Sequence, residues 1–335
     1  MQLIATCAFG LEKLVYDELK KLGFWVISTE DGRITFEGDQ YELIKANLWL
    51  RCADRIQIKI GEFKAVTFDE LFDNINVLEW EKYIGASDAF PVDAVSVKSA
   101  LHSEPAIQSI VKKAVVKRLQ SCLSALRLGA SQSSNEQLPE NSGATFSIYV
   151  KANKDRFIVS IDSSGDSLHK RGYRAKANIS PIKETLAAAL VTLSNWGQEA
   201  PATAGLVDLF CGSGTILIEA YLMANNIAPG LKRIFAFHAW PWMEHGIIEK
   251  AYVEARAASI SATVNATGHE PADNAPAPVH AVATATTPTN SESPCGKPRI
   301  YGFDIDPAVL RIAKANAARA GFENINLKRA DFNDL

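Results

Sequence analysis

The chain has 335 residues and a formal net charge of −3, with hydrophobic and charged shares of 47% and 22%, which are ordinary values for a soluble globular protein. At roughly 100–200 residues per domain, this length predicts two or three domains. No run approaches the roughly 20 apolar residues of a membrane span, and Met1–Thr6 lacks the basic region of a signal peptide. The cytoplasm is therefore the expected location.

The cysteines are scattered and never form a C-x-x-C pair. They are Cys7, Cys52, Cys122, Cys211 and Cys295. This odd number and irregular spacing indicate a reducing compartment, and they argue against a disulfide framework and against structural zinc. No metal is expected.

The first 62 residues predict a small domain in which strands and helices alternate. In chain order, the elements are a strand at 2–8, a helix at 11–22, strands at 24–28 and 33–37, a helix at 41–50 and a strand at 55–60. Gly23 ends the first helix, and Asp31-Gly32 supplies a hairpin turn. This βαββαβ order is that of a ferredoxin-like unit.

Residues 63–162 predict a second α+β domain. Its elements are a helix from 67, a strand at 94–98, a helix capped by Ser103, a polar loop at 131–143, and paired strands at 145–150 and 157–161. The segment 131–143 is polar and turn-rich, which predicts a loop.

The middle of the chain is basic, although the chain as a whole is acidic. Between Lys98 and Lys176 there are thirteen Lys and Arg residues and six acidic ones, a local charge of +7 that leaves −10 for the remainder. Such an asymmetry predicts a polyanionic partner, with a solvated charged face as the alternative. Six candidate contacts could share one edge of the second domain: Lys98, His102, Lys112, Lys113, Lys151 and Arg156.

The connector Ser167–Arg174 is dense in basic and aromatic residues. Three of its side chains are further candidates for phosphate contact: Lys170, Arg171 and Arg174. Tyr173 could stack on a base, or it could pack inward from a merely charged connector. A helix is predicted to follow, with Ser180 as its cap and Pro181 at its start.

The most informative stretch is Leu206–Thr215, an apolar strand that ends at Asp208 and continues into a glycine turn and a helix. Glycines let a ligand approach the backbone, and a helix start favours negatively charged groups. The dinucleotide fingerprint needs a third glycine where Leu217 stands, and the P-loop needs a Lys-Ser/Thr pair that is absent. A nucleoside ligand with a carboxylate remains, and S-adenosylmethionine fits; the alternative is a plain strand-to-helix turn.

A second buried strand, Arg299–Asp304, also ends in a carboxylate. Asp306 is then a natural helix cap, Pro307 occupies the first helical position, and Gly321 follows the last turn. In a nucleotide-binding βαβ unit, an acid such as Asp304 can accept hydrogen bonds from both ribose hydroxyls.

A third strand is predicted at 325–328, followed by Asp331 in a place suited to an adenine amino group. Asp304 lies much further along the chain than the usual spacing of about 20 residues after the glycine turn. The segment 257–298, rich in Ala, Thr and Pro, explains this distance, because its composition predicts a disordered insertion.

Taken together, five blocks resemble the THUMP-domain-containing class I RNA methyltransferases, and among them the bacterial enzymes that methylate guanine N2 in 23S ribosomal RNA. The blocks are 97–105, 168–174, 181–187, 208–215 and 302–307. The resemblance covers nearly the whole chain. It implies a ferredoxin-like domain at 1–62, an RNA-recognising THUMP domain at 63–162, and a Rossmann-like methyltransferase domain at 163–335.

The resemblance also implies a cofactor site for S-adenosylmethionine. Residues around the methionine part would be Asp208, Phe210, Cys211, Gly212, Ser213, Gly214 and Thr215. Asp304 would hold the ribose with Asp306 in the same site, and Asp331 the adenine edge. The segment that closes over the cofactor would contribute Pro181, Lys183, Glu184 and Thr185. The implied reaction is direct methyl transfer to the guanine amine without metal or covalent nucleophile, so Cys211 is interpreted as a small turn residue.

One part of the family pattern is missing. The family carries an Asn-Pro-Pro-Tyr type loop that holds the target amine, and no Asn-Pro-Pro occurs before the last residue, Leu335. We therefore expect a truncated, inactive methyltransferase domain. The alternatives are a transfer RNA guanine-N2 methyltransferase, an enzyme of this fold that acts on another amine, and an RNA-binding module without catalysis. The reading frame beyond Leu335 would discriminate between enzyme and binding module.

Overall fold

A computed structural model describes residues 1–85, 87–127, 143–174, 181–194, 196, 205–267 and 299–331, without the side chains of 123–127 and 260–267. These residues fall into two compact units. The first unit comprises Met1–Gly172 and Lys232–Tyr252, and the second comprises Tyr173–Leu231 and Val253–Leu335.

The first unit is built on one seven-stranded sheet with the order β2-β3-β1-β4-β7-β6-β5. The strands are β1 Gln2–Thr6, β2 Trp25–Glu30, β3 Arg33–Glu37, β4 Arg55–Lys64, β5 Val92–Val97, β6 Ile148–Asn153 and β7 Arg156–Asp162. Among these seven described strands, β5 and β6 are the pair that runs parallel. Because β4 pairs with β7, the ferredoxin-like strands and those of the second predicted domain form a continuous sheet.

Buried cross-strand pairs show how this sheet forms one wall of a core. Leu3 pairs with Phe36 on one side and with Ile58 on the other, and all three side chains are 0% exposed. The unit's helices are α1 Glu12–Lys21, α2 Gln40–Trp49, α3 Phe68–Asn76 and α4 Glu104–Arg127, with 3-10 turns at Trp80–Lys82 and Ala236–Ala239. Asp39 and Thr67 begin α2 and α3 with capping boxes, which satisfy amides left free by the first helical turn.

The segment Lys232–Tyr252 completes the first unit with aromatic contacts. Trp240 stacks on Phe146 with ring centroids 5.1 Å apart, and Trp242 meets the ring of Tyr83 edge-on at 5.8 Å. Stacked and edge-on arrangements at these distances are the favoured geometries of aromatic pairs. The unit is therefore closed by residues that are distant from it in the sequence.

The second unit contains a three-stranded parallel sheet with the order β10-β9-β8. Its strands are β8 Leu206–Asp208, β9 Ile300–Asp304 and β10 Asn326–Arg329, and its helices are α5 Glu184–Leu193, α6 Thr215–Ala224 and α8 Pro307–Ala320. The helix α7, His245–Thr267, passes from the first unit into the second. This 3-2-1 strand order is that of a Rossmann-like half, and the predicted fold class is confirmed.

Several predicted elements differ from the structure at their ends: the strand predicted at 145–150 is observed at Ile148–Asn153, and the one predicted at 55–60 extends to Lys64. Helix α5 begins at Glu184 with Lys183 as its cap, rather than at Pro181, because the carbonyl of Ile182 accepts a hydrogen bond from the Arg174 guanidinium at 2.9 Å and this part stays extended. Ser180 lies outside the described residues.

The predicted disordered insertion at 257–298 also begins too early. Helix α7 runs on to Thr267, because alanine is frequent in 255–267 and has the highest helix propensity of any residue. The remainder, 268–298, lies outside the described residues.

Candidate functional site

Three carboxylates follow the ends of the three parallel strands. Asp208 ends β8, Asp304 ends β9, and Asp331 comes two residues after β10. The backbone amide of Ala330 donates to the carbonyl of Asp304 at 3.2 Å, which holds the chain before Asp331 against the end of β9. The carboxyl edge of a parallel sheet is where ligands bind in open α/β folds, so the predicted acids are brought to the expected edge.

The glycine turn between β8 and α6 has two glycines with different surroundings. Gly214 has φ +80°, and a Cβ there would lie 3.2 Å from the Cβ of Ala313 on α8. Gly212 has φ +53°, and a Cβ there would approach only the Phe210 carbonyl oxygen, at 4.0 Å. Gly214 is therefore required by packing, whereas the space beside Gly212 is left open by the described protein atoms.

Asp304 fixes the turn through its carboxylate. One carboxylate oxygen accepts a hydrogen bond from the Gly212 amide at 3.0 Å, and the other accepts from the Asp306 amide at 3.0 Å. Each carboxylate oxygen has a further lone pair, so hydroxyl donors of a ligand can still bind. Asp306 instead caps α8, because its side chain accepts from the Ala308 amide at 2.7 Å.

Two groups in the turn have raised pKa values. Burial raises the pKa of Asp208, and the nearby charge of Asp304 adds to this. Burial, with the charges of both aspartates, raises the pKa of the Cys211 thiol to about 12. Since the thiolate is the nucleophilic form of cysteine, this raised pKa disfavours a nucleophilic role for Cys211.

Arg174 joins the start of α5 to the start of α6. Its Nε lies 3.2 Å from a carboxylate oxygen of Glu184, and its Nη2 donates to the Thr215 hydroxyl at 2.9 Å. Glu184 and Thr215 are 2% and 3% exposed. Two predicted cofactor residues are thus held together by a residue predicted to bind RNA. Pro181 and Lys183 lie just before α5, with Lys183 exposed, and the neighbouring Thr185 is buried.

Asn316 on α8 was missed by the sequence reasoning. Its side-chain amide is 1% exposed and donates to the Ser213 carbonyl at 3.2 Å. The available signal is a polar residue on the helix face that carries the buried Ala313 and Ala317. Asn316 therefore supports the glycine turn from behind.

Exposed apolar side chains border the same edge of the sheet. Phe210 in the turn is 71% exposed and Ile305, directly after Asp304, is 58% exposed. Large apolar groups left in solvent beside convergent polar groups are typical of a ligand site. Ile305 was also missed, because a single apolar residue after a strand carries no signal in the sequence.

The candidate RNA contacts fall into two groups. Five are exposed, and none of them forms an ion pair with another described residue: Lys98, His102, Lys112, Lys113 and Lys151. The other four have partners within the protein. Arg156 pairs with Glu30, at 3.0 Å, and with Glu62, and Lys170 pairs with Asp166 at 2.7 Å.

Arg171 and Arg174 are the other two candidate RNA contacts that have partners within the protein. Arg171 is 3% exposed and donates to the carbonyls of Leu168 and Arg51 at 2.8 and 2.5 Å. Tyr173 between them is 2% exposed, which fits the inward-packing alternative rather than base stacking. The connector is therefore largely internal.

Within the described ranges, no group of three or more His, Cys, Asp or Glu side chains is placed to hold a metal ion. No helix within these ranges is long and apolar enough to span a membrane.

Comparisons with known proteins place these features in one family. Three family models match: RlmL ferredoxin-like domain at 2–57, THUMP domain at 65–162, and RMKL-like methyltransferase domain at 171–335. The chain belongs to the THUMP-domain-containing, class I S-adenosylmethionine-dependent RNA methyltransferases.

Two relatives illustrate the range of the family. "Putative RNA methyltransferase YpsC" of Bacillus subtilis is 39% identical over 96% of this chain and 72% of its own length. "Ribosomal RNA large subunit methyltransferase K/L" of Marinobacter nauticus is 32% identical over 96% of this chain. The chain spans only 39% of that second relative.

Solved structures agree on the fold. The structure of a "predicted N6-adenine-specific DNA methylase" from Listeria monocytogenes matches all of this chain and 76% of its own, with 38% identity and a TM-score of 0.82. SMU.472, solved in complex with SAH, matches all of this chain and 76% of its own, with 39% identity and a TM-score of 0.80.

Proposed function

We propose that this protein transfers a methyl group from S-adenosylmethionine to N2 of a guanine in large-subunit ribosomal RNA. The observation that carries the proposal is the bond between Asp304 and the Gly212 amide at 3.0 Å. It joins the acid at the end of β9 to the glycine turn and leaves open space beside Gly212. The names of the K/L relatives support the ribosomal substrate, and the SAH complex of SMU.472 supports the cofactor.

The residues at the carboxyl edge fit the parts of this cofactor. The Asp304 carboxylate would accept hydrogen bonds from the ribose hydroxyls, and Asp331 would accept one from the adenine amino group. Phe210 and Ile305, both exposed, would cover the apolar faces of the adenosine. The start of α6 after Gly214 would favour the carboxylate of the methionine part, because helix N-termini attract negative charge.

If bound, the cofactor would supply an electrophilic methyl for the guanine amine, with its sulfur as the leaving group and with the amine proton passing to water. The contribution of this chain is positioning, which can supply a large part of such an acceleration. Arg174 and Asn316 hold the turn on both sides through Thr215 and Ser213. Cys211, protonated at neutral pH, takes no covalent part.

We further propose that RNA binds the first unit through its five unpaired residues, Lys98, His102, Lys112, Lys113 and Lys151. Arg156 and Lys170 are ion-paired, and Arg171 and Arg174 are internal, so their proposed roles are structural. The proposed domain boundaries remain 1–62, 63–162 and 163–335. A cytoplasmic location is supported by the free cysteines among the described residues, as expected in a reducing compartment.

The test incubates the chain, and in parallel the complete translated reading frame, with labelled S-adenosylmethionine and unmodified 23S ribosomal RNA, transfer RNA or DNA. Nucleoside analysis then identifies the product. Label in N2-methylguanosine from ribosomal RNA is the result expected with the complete translated reading frame. Label from transfer RNA instead, or in N6-methyladenine, would replace the proposed substrate. RNA binding without label from either protein would favour a binding module.

A further inference from the structure

Backbone strain in the first unit is concentrated at one junction. Within the described ranges, four non-glycine residues have positive φ: Lys98, Lys154, Asp155 and Asn226. Three of them meet where β5 ends and where β6 turns into β7. Positive φ is unfavourable for residues with a Cβ, and when it persists it often marks a functional position.

The junction is held together by backbone and short side-chain hydrogen bonds. The Lys154 amide donates to the Val97 carbonyl at 3.1 Å. The Asp155 amide donates to the Ser99 hydroxyl at 3.0 Å, and the Asp155 carboxylate accepts from the Ala100 amide at 2.7 Å. The strain at Asp155 is therefore explained, because its side chain ties the loop after β5 to the hairpin turn.

No such side-chain bond explains the positive φ of Lys98, whereas that of Lys154 is required by the turn in which it lies. Lys154 and Asp155 are the two central residues of a two-residue hairpin turn, a place where Asn-Gly is the favoured pair. The side chains of Lys98 and Lys154 are exposed, and neither forms an ion pair with a described carboxylate. Two lysines without a described ion-pair partner thus occupy adjacent turns at positive φ, a backbone conformation that glycine adopts with less strain.

We propose that Lys98 and Lys154 form a phosphate-binding pair that contacts the backbone of the RNA substrate. This inference rests on the proposed function for its ligand, and it adds Lys154, which no sequence motif indicated. Exposed lysines bind phosphate as point charges and release counterions from the nucleic acid. His102, exposed and with Nδ1 3.1 Å from the Ala100 carbonyl oxygen, lies on the same loop and borders the pair.

The test separates strain from charge in the full chain. In the double variant Lys98→Gly/Lys154→Gly, glycine adopts positive φ without penalty, so we expect a melting temperature equal to or higher than that of the wild type. RNA affinity, measured by fluorescence anisotropy with a structured fragment of 23S ribosomal RNA, should fall about tenfold. The slope of log affinity against log salt should fall by about 1 per lysine removed.

Lys13→Gln/Lys82→Gln is the matched control. It removes the same charge from two lysines that are already paired with Asp17 and Glu79, each at 2.5 Å, and it should bind RNA like the wild type. Wild-type RNA affinity in the glycine variant would contradict the proposal that Lys98 and Lys154 bind phosphate. An equal loss of RNA affinity in the control variant would contradict it as well. A wild-type chain that binds no RNA would overturn the proposed function together with it. The variant Lys98→Gln/Lys154→Gln removes the charges but keeps side chains at positive φ, and it should lose the same RNA affinity. It replaces the glycine variant in the test if that variant does not fold.

Discussion

The glycines around the candidate active site have separable roles, one in binding and one in packing. A Cβ on Gly302 in β9 would lie 2.8 Å from Cδ2 of Leu327 and would collide with Leu217 on α6. At Gly212, by contrast, the space that a Cβ would occupy is open. Substitution by alanine should therefore lower mainly the stability at Gly302 and mainly the cofactor affinity at Gly212.

Gly302→Ala should lower the free energy of unfolding by about 1–3 kcal/mol, as overpacking does, while binding persists in the folded fraction. Gly212→Ala should cost only the roughly 1–2 kcal/mol of an L-residue at positive φ, but it should remove most of the affinity for S-adenosylmethionine. Thermal melting and calorimetry of both variants measure the two effects. Full cofactor affinity in Gly212→Ala would contradict the placement of the cofactor beside this turn.

Asp162 in the first unit makes stability depend on pH. Burial raises its pKa from 3.8 to about 6, although Arg55 opposes this from 2.6 Å. Because the folded state holds the proton more tightly than the unfolded state, this contribution to stability is complete below about pH 4. It is lost as the pH rises through 6.

The unfolding free energy of the wild type, relative to Asp162→Asn, should therefore fall by about 2 kcal/mol between pH 4 and pH 7. Urea unfolding at several pH values measures this difference. Asp93→Asn, at an exposed position of β5, controls for the loss of one carboxylate. Parallel pH profiles for wild type and Asp162→Asn would show that the carboxylate titrates normally.

At the scale of elements, the sequence predicted the helix ends that depend on neighbouring residues. Asp306, Pro307 and Gly321 bound α8 as predicted, because capping depends on neighbouring residues. The start of α5 was predicted too early, since the hydrogen bond from Arg174 to the Ile182 carbonyl, eight residues further along the chain, has no counterpart in the helical pattern. The burial of Arg171 could not be predicted either. In a charged connector, the sequence is the same whether the arginine side chain faces solvent or donates to buried carbonyls.

The segment Lys232–Tyr252 was not predicted at all, because aromatic packing over long sequence separations has no local signal. Trp240 is 2% exposed and stacks on Phe146. Trp240→Ala should lower the unfolding free energy of the first unit by about 3–5 kcal/mol. Phe9→Ala, at a position 82% exposed, should change it by less than about 0.5 kcal/mol. Equal melting temperatures for the two variants would show that the segment is not part of the core.

For the whole molecule, the order of domains in the sequence differs from the division into compact units. The chain passes between the units at Gly172, at Leu231 and again at Tyr252. A fragment of residues 1–176 therefore contains the basic residues proposed to bind RNA, but it lacks the aromatic segment that covers Phe146.

This fragment should melt below the first unit of the full chain and bind the dye ANS, which reports exposed apolar surface. Thermal scans with ANS on both proteins make the comparison. A fragment that melts with the full chain and binds no dye would show that the first 172 residues complete a core on their own.

Because the segment Lys232–Tyr252 belongs to the first unit, that unit is completed late during synthesis. When Gly172 has been added, the first unit still waits for Tyr252, 80 residues later in the sequence. At about 5–20 residues per second, this delay lasts roughly 4–16 s, during which the aromatic surface around Phe146 and Tyr83 is uncovered. The unit that carries the proposed RNA contacts is therefore complete only after residues 173–231 of the second unit have been translated.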